Sequence, residues 1–300
     1  MATMERLHVV LSLTTKDNDY QRENAAAAEQ AAAGLGVKLE VMYAENDAIT
    51  QSQQLLEVIQ CKPESRPHAI LLEPVGTSLE KVATAAMDAN LAWVILNREA
   101  SYLSTLRDRA TSPVFSVTTD HSEVGRIQGR QLSRLLPAGG SILYMEGPAS
   151  SSTTVQRYGG MMETKPGNIE VRRLSGQWTQ ESAYKAALSL MRLTTSQNTR
   201  IDAVCSQNDF MAIGIQKAFK DNGWQWMHVP FTGVDGLRQT GQKWVNEGML
   251  AATIVLPTLA DIAIRLVHDA IKESNRPPEI TFTKPQSYPV LEKITSRTGS

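Results

Sequence analysis

Residues 69–96 read AILLEPVGTSLEKVATAAMDANLAWVIL, and this stretch decides the fold class. It begins with a short apolar run at 69–73, continues through a segment with helical spacing at 78–90, and ends in a second apolar run at 92–96. Short β-branched runs separated by helical segments are typical of a parallel sheet with helices on both faces. The stretch therefore predicts one strand–helix–strand unit of an α/β protein.

The same alternation extends in both directions from this unit. Further strands are predicted at 8–13, 38–43, 114–118, 141–145, 169–174, 202–206, 229–234 and 251–256. Further helices are predicted near 20–34, 50–60, 121–136, 153–163, 180–194, 208–222, 236–247 and 258–273. Because the strand and helix pattern starts again near residue 140, the sequence predicts two similar α/β halves.

The predicted helix at 258–273 suits the first half, so we expect the chain to cross between the halves more than once. The fold class is then two Rossmann-like lobes, each with a parallel sheet flanked by helices, joined by a multi-crossing hinge. The predicted lobes comprise 1–118 plus 257–278 and 119–256 plus 279–300. The expected crossings lie near 118–121, 255–258 and 277–281.

Composition narrows the class of partner. The chain has 300 residues, of which 42% are hydrophobic and 20% charged, and its formal net charge of -1 gives no electrostatic reason to expect nucleic acid. The two cysteines lack the spacing of a metal or redox motif. The first residues lack the pattern of a secretory signal. Either the chain is cytoplasmic, or it is a periplasmic or other extracytoplasmic protein whose signal was removed.

A ligand site is expected where polar loops follow the strands. In open parallel sheets, ligands bind beyond the carboxyl ends of the strands, because helix N-termini and loop amides converge there. The candidate residues in these loops are Ser12, Asp17, Asn18, Tyr20, Asn97, Arg98, Arg157, Trp178, Asn208 and Asp235. Such a set suits a sugar, since Asp, Asn and Arg match hydroxyl groups and a Trp ring offers a flat surface to the apolar C–H face.

Four segments carry a resemblance to a known family: VILNR at 94–98, AVCSQNDFMAIGIQKAF at 203–219, FTGVDG at 231–236 and GMLAATI at 248–254. With these segments the chain resembles the ribose-binding branch of the type I periplasmic binding proteins, over essentially its whole length. Inducer-binding cores of LacI-type repressors share that fold. The resemblance implies a solute-binding component of a sugar ABC transporter, which closes by hinge bending on a monosaccharide or polyol held in the cleft between its lobes.

The resemblance also implies roles and partners. It assigns ligand contacts to Asn97, Arg98, Arg157, Trp178, Asn208 and Asp235, and more weakly to Asp17, Asn18 and Tyr20 in a first loop with an apparent two-residue insertion. The implied partners are the small polar ligand and the membrane permease of the transporter. We expect a monomer that binds no nucleic acid, no metal and no cofactor.

Three departures from the family bear on the ligand. Asn97 stands where the family usually has Asp, Leu256 replaces the usual Gln before Pro257, and 165–167 shortens the helix after Arg157. Two Arg residues, 98 and 157, then face one Asp residue, 235, which leaves one positive charge to compensate. Either Asp17 compensates it and the ligand is a neutral sugar, which we favour, or the ligand is a sugar acid or other small carboxylate.

The sequence also bears on three other functions: an enzyme, a DNA-binding regulator and a sensor. The first strand is followed by SLTTKDND at 12–19 and not by a glycine-rich phosphate loop, so we predict that the protein is not an enzyme. A DNA-binding regulator would need a helix-turn-helix before the first strand. A sensor that feeds a membrane receptor stays open. Within the site, Asp235 could instead cap the next helix, and Asp209 is favoured as a helix cap over Asn208, which leaves Asn208 for the ligand.

Overall fold

A computed structural model describes residues 6–77, 79–193 and 199–295 of the chain. The described chain forms two compact units. Unit 1 comprises the described residues up to Thr119 together with Thr258–Thr283, and unit 2 comprises Asp120–Pro257 together with the described residues from Lys284 onward. The chain therefore passes from one unit to the other three times.

Unit 1 is built on a parallel sheet. Its strands are β1 (His8–Leu13), β2 (Lys38–Tyr43), β3 (Ala69–Leu72), β4 (Ala92–Leu96), β5 (Val114–Thr119) and β11 (Ile280–Thr283). They lie side by side in the order β11-β5-β4-β3-β1-β2. The central strands β3, β4 and β5 are buried along their whole length. Their continuous apolar character is what a sheet covered on both faces requires.

Helices cover both faces of this sheet. They are α1 (Asp19–Leu35), α2 (Ala48–Gln60), α3 (Glu80–Asp88), α4 (Leu103–Arg109) and α10 (Ala260–Lys272), with a short 3-10 turn at Pro63–Ser65. Helix α1 begins after Asn18, whose side chain accepts from the Gln21 backbone N–H, and ends at Gly36, which adopts a left-handed φ of 67°. Its alanine face packs with α10 against one side of the sheet.

Unit 2 repeats the architecture with a smaller parallel sheet. The strands β6 (Gly140–Glu146), β7 (Ile169–Ser175), β8 (Ala203–Ser206) and β9 (Phe231–Thr232) lie in the order β7-β6-β8-β9. A separate antiparallel pair joins β10 (Thr253–Val255) to β12 (Gln286–Tyr288). The helices are α5 (His121–Leu135), α6 (Ser152–Thr164), α7 (Gln180–Met191), α8 (Asp209–Asp221) and α9 (Gly241–Asn246), with a 3-10 turn at Leu291–Lys293.

The predicted α/β class with parallel sheets flanked by helices is confirmed. Two predicted elements are shorter than expected. The strand predicted at 229–234 pairs only over Phe231–Thr232, and the helix predicted at 236–247 forms only at Gly241–Asn246. Gly236 has a left-handed φ of 57°, which places it outside a right-handed helix. Helix α4 was not predicted.

The structure also differs from the predicted lobe boundary near residue 279. We assigned 279–300 to the second lobe, but β11 pairs with β5 and so lies in unit 1. The reason is the backbone hydrogen-bond ladder of β11, whose register aligns Ile280 with Ser116. Some predicted segments extend beyond the described residues. They are residues 1–5, at the start of the first predicted lobe, residues 296–300, at the end of the second, and residue 194, at the end of a predicted helix.

Candidate functional site

The strand ends of unit 1 surround a buried carboxylate, Glu73, which follows β3 directly and is 4% exposed. Its Oε1 accepts hydrogen bonds from Asn97 Nδ2 at 3.1 Å and from Arg98 Nη2 at 3.3 Å. Its Oε2 accepts from Gln21 Nε2, on α1, at 2.7 Å. One carboxylate therefore links the ends of two neighbouring strands with the first helix.

A second buried amide extends this network to the first strand. Gln51 Nε2 donates to Ser12 Oγ at 3.1 Å and to the Glu73 carbonyl oxygen at 2.9 Å. Gln51 Oε1 accepts from the Val75 backbone N–H at 2.8 Å. Both Ser12 and Gln51 are fully buried. The structure therefore brings the predicted residue Ser12 into the same polar network as Asn97 and Arg98.

The residues predicted as ligand contacts in the first loop are an exposed carboxylate, a helix cap and a buried residue of the helix. Asp17 is exposed, and Asn18 uses its Oδ1 to cap α1 by accepting the Gln21 N–H at 3.2 Å. Tyr20 is buried in the first turn of α1. Glu73 forms an ion pair with Arg98 at 3.3 Å, a partner that the sequence did not predict. That Asp17 compensates the excess positive charge stays a prediction.

In unit 2, a buried arginine lies beside an aromatic ring. Arg157, on α6, is 3% exposed, and its Nη1 donates to the Gln207 carbonyl oxygen. Its Nε lies 3.4 Å from His121 Nδ1, and its Cζ lies 5.8 Å from the centroid of the Trp178 ring. The guanidinium group is thus fixed in orientation by three neighbours from different segments.

Trp178 occupies the loop after β7 in a constrained conformation. Its φ is 63°, and its carbonyl oxygen accepts from Asn208 Nδ2 at 2.9 Å. A non-glycine residue with a left-handed φ is held there by its surroundings. The indole packs so closely on Gly147 that a Cβ at that position would lie 2.1 Å from Trp178 Cζ2.

Asn208 is the N-cap of α8, which corrects our preference for Asp209 in that role. Asn208 Oδ1 accepts from the Met211 backbone N–H at 2.8 Å. Asp209 is the first helical residue. Its Oδ2 accepts from the Gly236 N–H at 2.8 Å, and its Oδ1 accepts from Thr253 Oγ1 at 2.6 Å. Asp209 therefore ties α8 to the segment that carries Asp235.

Asp235 is 8% exposed and has a φ of 101°, a conformation that L-residues rarely adopt. Its backbone N–H donates to the Ile254 carbonyl oxygen at 3.0 Å, and its own carbonyl oxygen accepts from the Leu256 N–H at 3.1 Å. Because α9 begins only at Gly241, Asp235 does not cap that helix. Leu256, predicted as an apolar wall of the site, is buried beside it at 4% exposure.

Burial controls the electrostatics of this part of unit 2. It raises the pKa of the Asp209 carboxyl well above its usual range, and the nearby Asp235 charge raises the pKa further. The hydrogen bonds from Thr253 and Gly236, and the charge of Arg157, act in the opposite direction. The net shift of the Asp209 pKa is upward, which favours the protonated form of this carboxyl next to Asp235.

The sequence did not predict several residues that hold the candidate site residues of unit 1 and of unit 2 in position. They are Gln21, Gln51, Glu73, His121, Gln207 and Asp209. Glu73 had one usable signal, since it follows the fully apolar run AILL at the end of a predicted central strand. His121 had another, because it falls at a predicted crossing between the two halves.

The described residues contain no group of three or more His, Cys, Asp or Glu residues arranged to hold a metal ion. None of their helices is both long enough and apolar enough to cross a membrane. Cys61 and Cys205 are free thiols, the first half-buried and the second buried.

Comparison with known proteins identifies the family. The family model described as a periplasmic binding protein domain matches residues 9–275 of this chain. The chain therefore belongs to the family of periplasmic binding protein domains. The predicted family is confirmed.

Several curated members of the family are similar to this chain. The ribose import binding protein of Escherichia coli (strain K12) is 24% identical over 82% of this chain and 78% of its own length. The D-allose-binding periplasmic protein of the same strain is 24% identical over 94% of this chain and 89% of its own. A putative rhizopine-binding protein of Rhizobium meliloti is 27% identical over 67% of this chain, and the match spans 63% of that relative. The predicted likeness to the ribose-binding branch is thereby confirmed.

Solved structures support the fold. A galactofuranose binding protein superposes with a TM-score of 0.83 at 22% identity, covering 94% of each chain. A solute binding protein of an ABC transporter from Bacillus halodurans C-125, with bound myo-inositol, superposes with a TM-score of 0.80 at 20% identity, covering 98% of each chain. Both likenesses concern the arrangement of the backbone.

Proposed function

We propose that this protein is the solute-binding component of a sugar ABC importer and that it binds a monosaccharide or polyol without chemical change. The observation that carries the proposal is that unit 2 holds the buried Arg157 beside the Trp178 ring, together with the buried Asp235. A buried guanidinium, a flat ring and a carboxylate in a rare backbone conformation together match the donors, acceptors and apolar face of a sugar ring.

Unit 1 offers proposed ligand contacts of its own at its strand ends. Arg98 and Asn97 offer N–H donors to ligand hydroxyl groups, and both are oriented by Glu73. Charged donors form the stronger hydrogen bonds to sugar hydroxyls. We propose Asn97, Arg98, Arg157, Trp178 and Asp235 as the principal ligand contacts, whereas Asn208 acts mainly by holding Trp178 in place.

The relatives supply the rest of the proposal. The curated relatives of this chain include proteins named for the import or binding of ribose and D-allose. We propose by analogy that this chain acts in the periplasm or another extracytoplasmic space, as a monomer, and delivers its ligand to a membrane permease. The proposal needs no cofactor and no catalytic residue.

A thermal-shift screen followed by calorimetry tests the proposal. The panel consists of aldopentoses, aldohexoses, inositols and glycerol. A ligand that binds only the folded state, present at 100 times its Kd, raises the unfolding free energy by about 2.7 kcal/mol. Stabilisation by at least one neutral sugar or polyol is expected.

Variants link that binding to the proposed residues. We expect Asp235→Ala to weaken binding by about 10- to 100-fold, since a hydrogen bond to a charged group contributes about 1.5–3 kcal/mol. The matched control is Asp88→Asn, a loss of one acidic charge at an exposed position on α3. A panel in which no neutral compound binds, or an Asp235→Ala variant with unchanged affinity, would contradict the proposal.

A further inference from the structure

We propose that Glu73 selects the charge class of the ligand: it supplies the counter-charge of Arg98 and thereby favours neutral sugars and polyols over sugar acids. The inference rests on the proposed function and deepens it by naming the substrate class. It concerns a residue that sequence reasoning did not place in the site.

The position of Glu73 allows little freedom. Its carboxylate is 4% exposed and accepts three side-chain hydrogen bonds, from Gln21, Asn97 and Arg98, at 2.7, 3.1 and 3.3 Å. These donors come from α1 and from the residues after β4, while Glu73 itself follows β3. A carboxylate held by donors from two other segments keeps its place when a ligand approaches, so its charge is a fixed property of the site.

The charge of Arg98 requires such a partner. The Arg98 side chain is 14% exposed, and a guanidinium removed from water is costly unless an anion compensates it. Residue 97, its neighbour in the chain, is a neutral Asn, and Asp17 is exposed. In unit 1, therefore, the carboxylate 3.3 Å from the guanidinium already neutralises Arg98 before any ligand arrives.

Unit 2 also contains buried groups of both charge signs. Arg157 and Asp235 are both buried and carry opposite charges. A ligand carboxylate beside Arg98 in unit 1 would add a negative charge close to Glu73, whose carboxylate already compensates the guanidinium.

Replacing the charge of Glu73 should reverse this selection. Glu73→Gln keeps the length of the side chain and one acceptor oxygen but removes the carboxylate that pairs with Arg98. A uronic acid could then supply the missing carboxylate. We expect the ratio of uronate affinity to hexose affinity to rise by about 10- to 100-fold, the range of a charge-assisted hydrogen bond.

The experiment is calorimetry on the full chain with matched pairs of neutral and acidic sugars. The pairs are D-glucose with D-glucuronate and D-galactose with D-galacturonate, and D-xylose is added as a pentose. The variants are Glu73→Gln, Asp17→Asn as the rival source of the counter-charge, and Asp88→Asn as the control for loss of an exposed charge. The wild type should bind the neutral member of a pair more tightly, and Glu73→Gln alone should shift the ratio towards the uronate.

A second variant keeps the test decisive if Glu73→Gln does not fold. Arg98→Gln leaves Glu73 as an uncompensated anion, so the affinity for D-glucosamine relative to D-glucose should rise by about tenfold. A wild type that prefers uronates, an unchanged ratio in Glu73→Gln, a shift in Asp17→Asn, or an unchanged glucosamine ratio in Arg98→Gln would each overturn the inference. If no compound of the panel binds the wild type, the proposed function itself fails.

Discussion

At the scale of single residues, two candidate ligand contacts of unit 2 have left-handed backbone conformations. Asp235, in the segment after β9, has a φ of 101°, and Trp178, in the loop after β7, has a φ of 63°. Strained conformations of this kind persist only where the surrounding structure enforces them. Here the enforcing contacts are the bonds of Asp209 to Gly236 and Thr253 and the bond of Asn208 to Trp178.

Asp209 should make stability depend on pH in a predictable direction. Because its pKa is raised above the ordinary value of 3.8, the folded state binds an extra proton between that value and the raised one. The stabilising contribution is therefore complete below the unfolded pKa and is lost as the pH rises through the folded pKa. Asp209→Asn does not titrate, so its unfolding free energy should fall less than that of the wild type as the pH rises from 4 to 8.

Urea denaturation of both proteins across that pH range measures the difference. Asp88→Asn, which removes an exposed carboxyl, should follow the wild-type profile. Parallel profiles for the wild type and Asp209→Asn would show that Asp209 ionises normally in the folded protein.

The contact between Gly147 and Trp178 gives a test of the ring position. In Gly147→Ala the new Cβ would lie 2.1 Å from Trp178 Cζ2, so the indole must move. Loss of a well-placed aromatic contact costs about 0.5–1.5 kcal/mol, which predicts sugar binding weakened by up to about tenfold. Gly167→Ala is the matched control, since nothing lies within 4 Å of its Cβ position. Tryptophan fluorescence that shifts while affinity stays constant would exclude Trp178 as a ligand contact.

At the scale of elements, close packing of α5 against α6 positions Arg157. A Cβ at Gly125, on α5, would lie 2.1 Å from the Arg157 carbonyl oxygen, and a Cβ at Gly160, on α6, would lie 2.0 Å from the Ser122 carbonyl oxygen. The two helices thus approach each other at glycines, where only a hydrogen atom fits. The helix that carries Arg157 can occupy its position only because these side chains are absent.

Two adjacent glycines of α6 should respond to substitution in opposite ways. Gly160→Ala forces a Cβ onto the backbone of α5 and should destabilise the protein by about 1–3 kcal/mol. Gly159 is exposed, and nothing lies within 4 Å of its Cβ position, so Gly159→Ala should stabilise the helix by about 0.5–1 kcal/mol. Chemical denaturation compares both with the wild type, and two effects of the same sign would contradict the packing described.

The elements that the sequence predicted well are those with a strong local signal. The buried strands β3 and β4 are continuous apolar runs, and α1 has a capping Asn and a terminal glycine. Helix α4 has seven residues, too few for a period to show, and β11 is an exposed edge strand whose pairing with β5 depends on contacts distant in the chain. Local spacing carries no information about such pairings.

The same distinction applies to the candidate site. Arg98, Arg157 and Asp235 could be predicted because each follows or flanks a recognisable strand or motif. The partners of these residues could not. Glu73 lies 25 positions from Arg98, and only the parallel register of β3 and β4 brings the two side chains together. The sequence therefore indicated these three residues as candidate ligand contacts but did not indicate Glu73 as the ion-pair partner of Arg98.

At the scale of the whole molecule, each unit has hydrophobic cores of its own. Unit 1 has clusters on both faces of its sheet, and unit 2 has separate clusters around β6 and β8. The connections between the units are three chain segments, at 119–120, 257–258 and 283–284. A chain with two independent cores and short connections is suited to respond to a ligand by hinge motion.

Because the chain belongs to the family of periplasmic binding protein domains, we expect saturation with the ligand to lower the radius of gyration. The new contacts of the ligand stabilise the closed arrangement, and an equilibrium shifts only as far as the ligand binds one state more tightly than the other. Small-angle scattering with and without the ligand identified by calorimetry measures the change. At the same ligand concentration, Asp235→Ala is only partly occupied because it binds more weakly, so its radius of gyration should decrease less. Asp88→Asn should match the wild type. An unchanged radius of gyration in a wild-type sample that calorimetry shows to be saturated would contradict closure on the ligand.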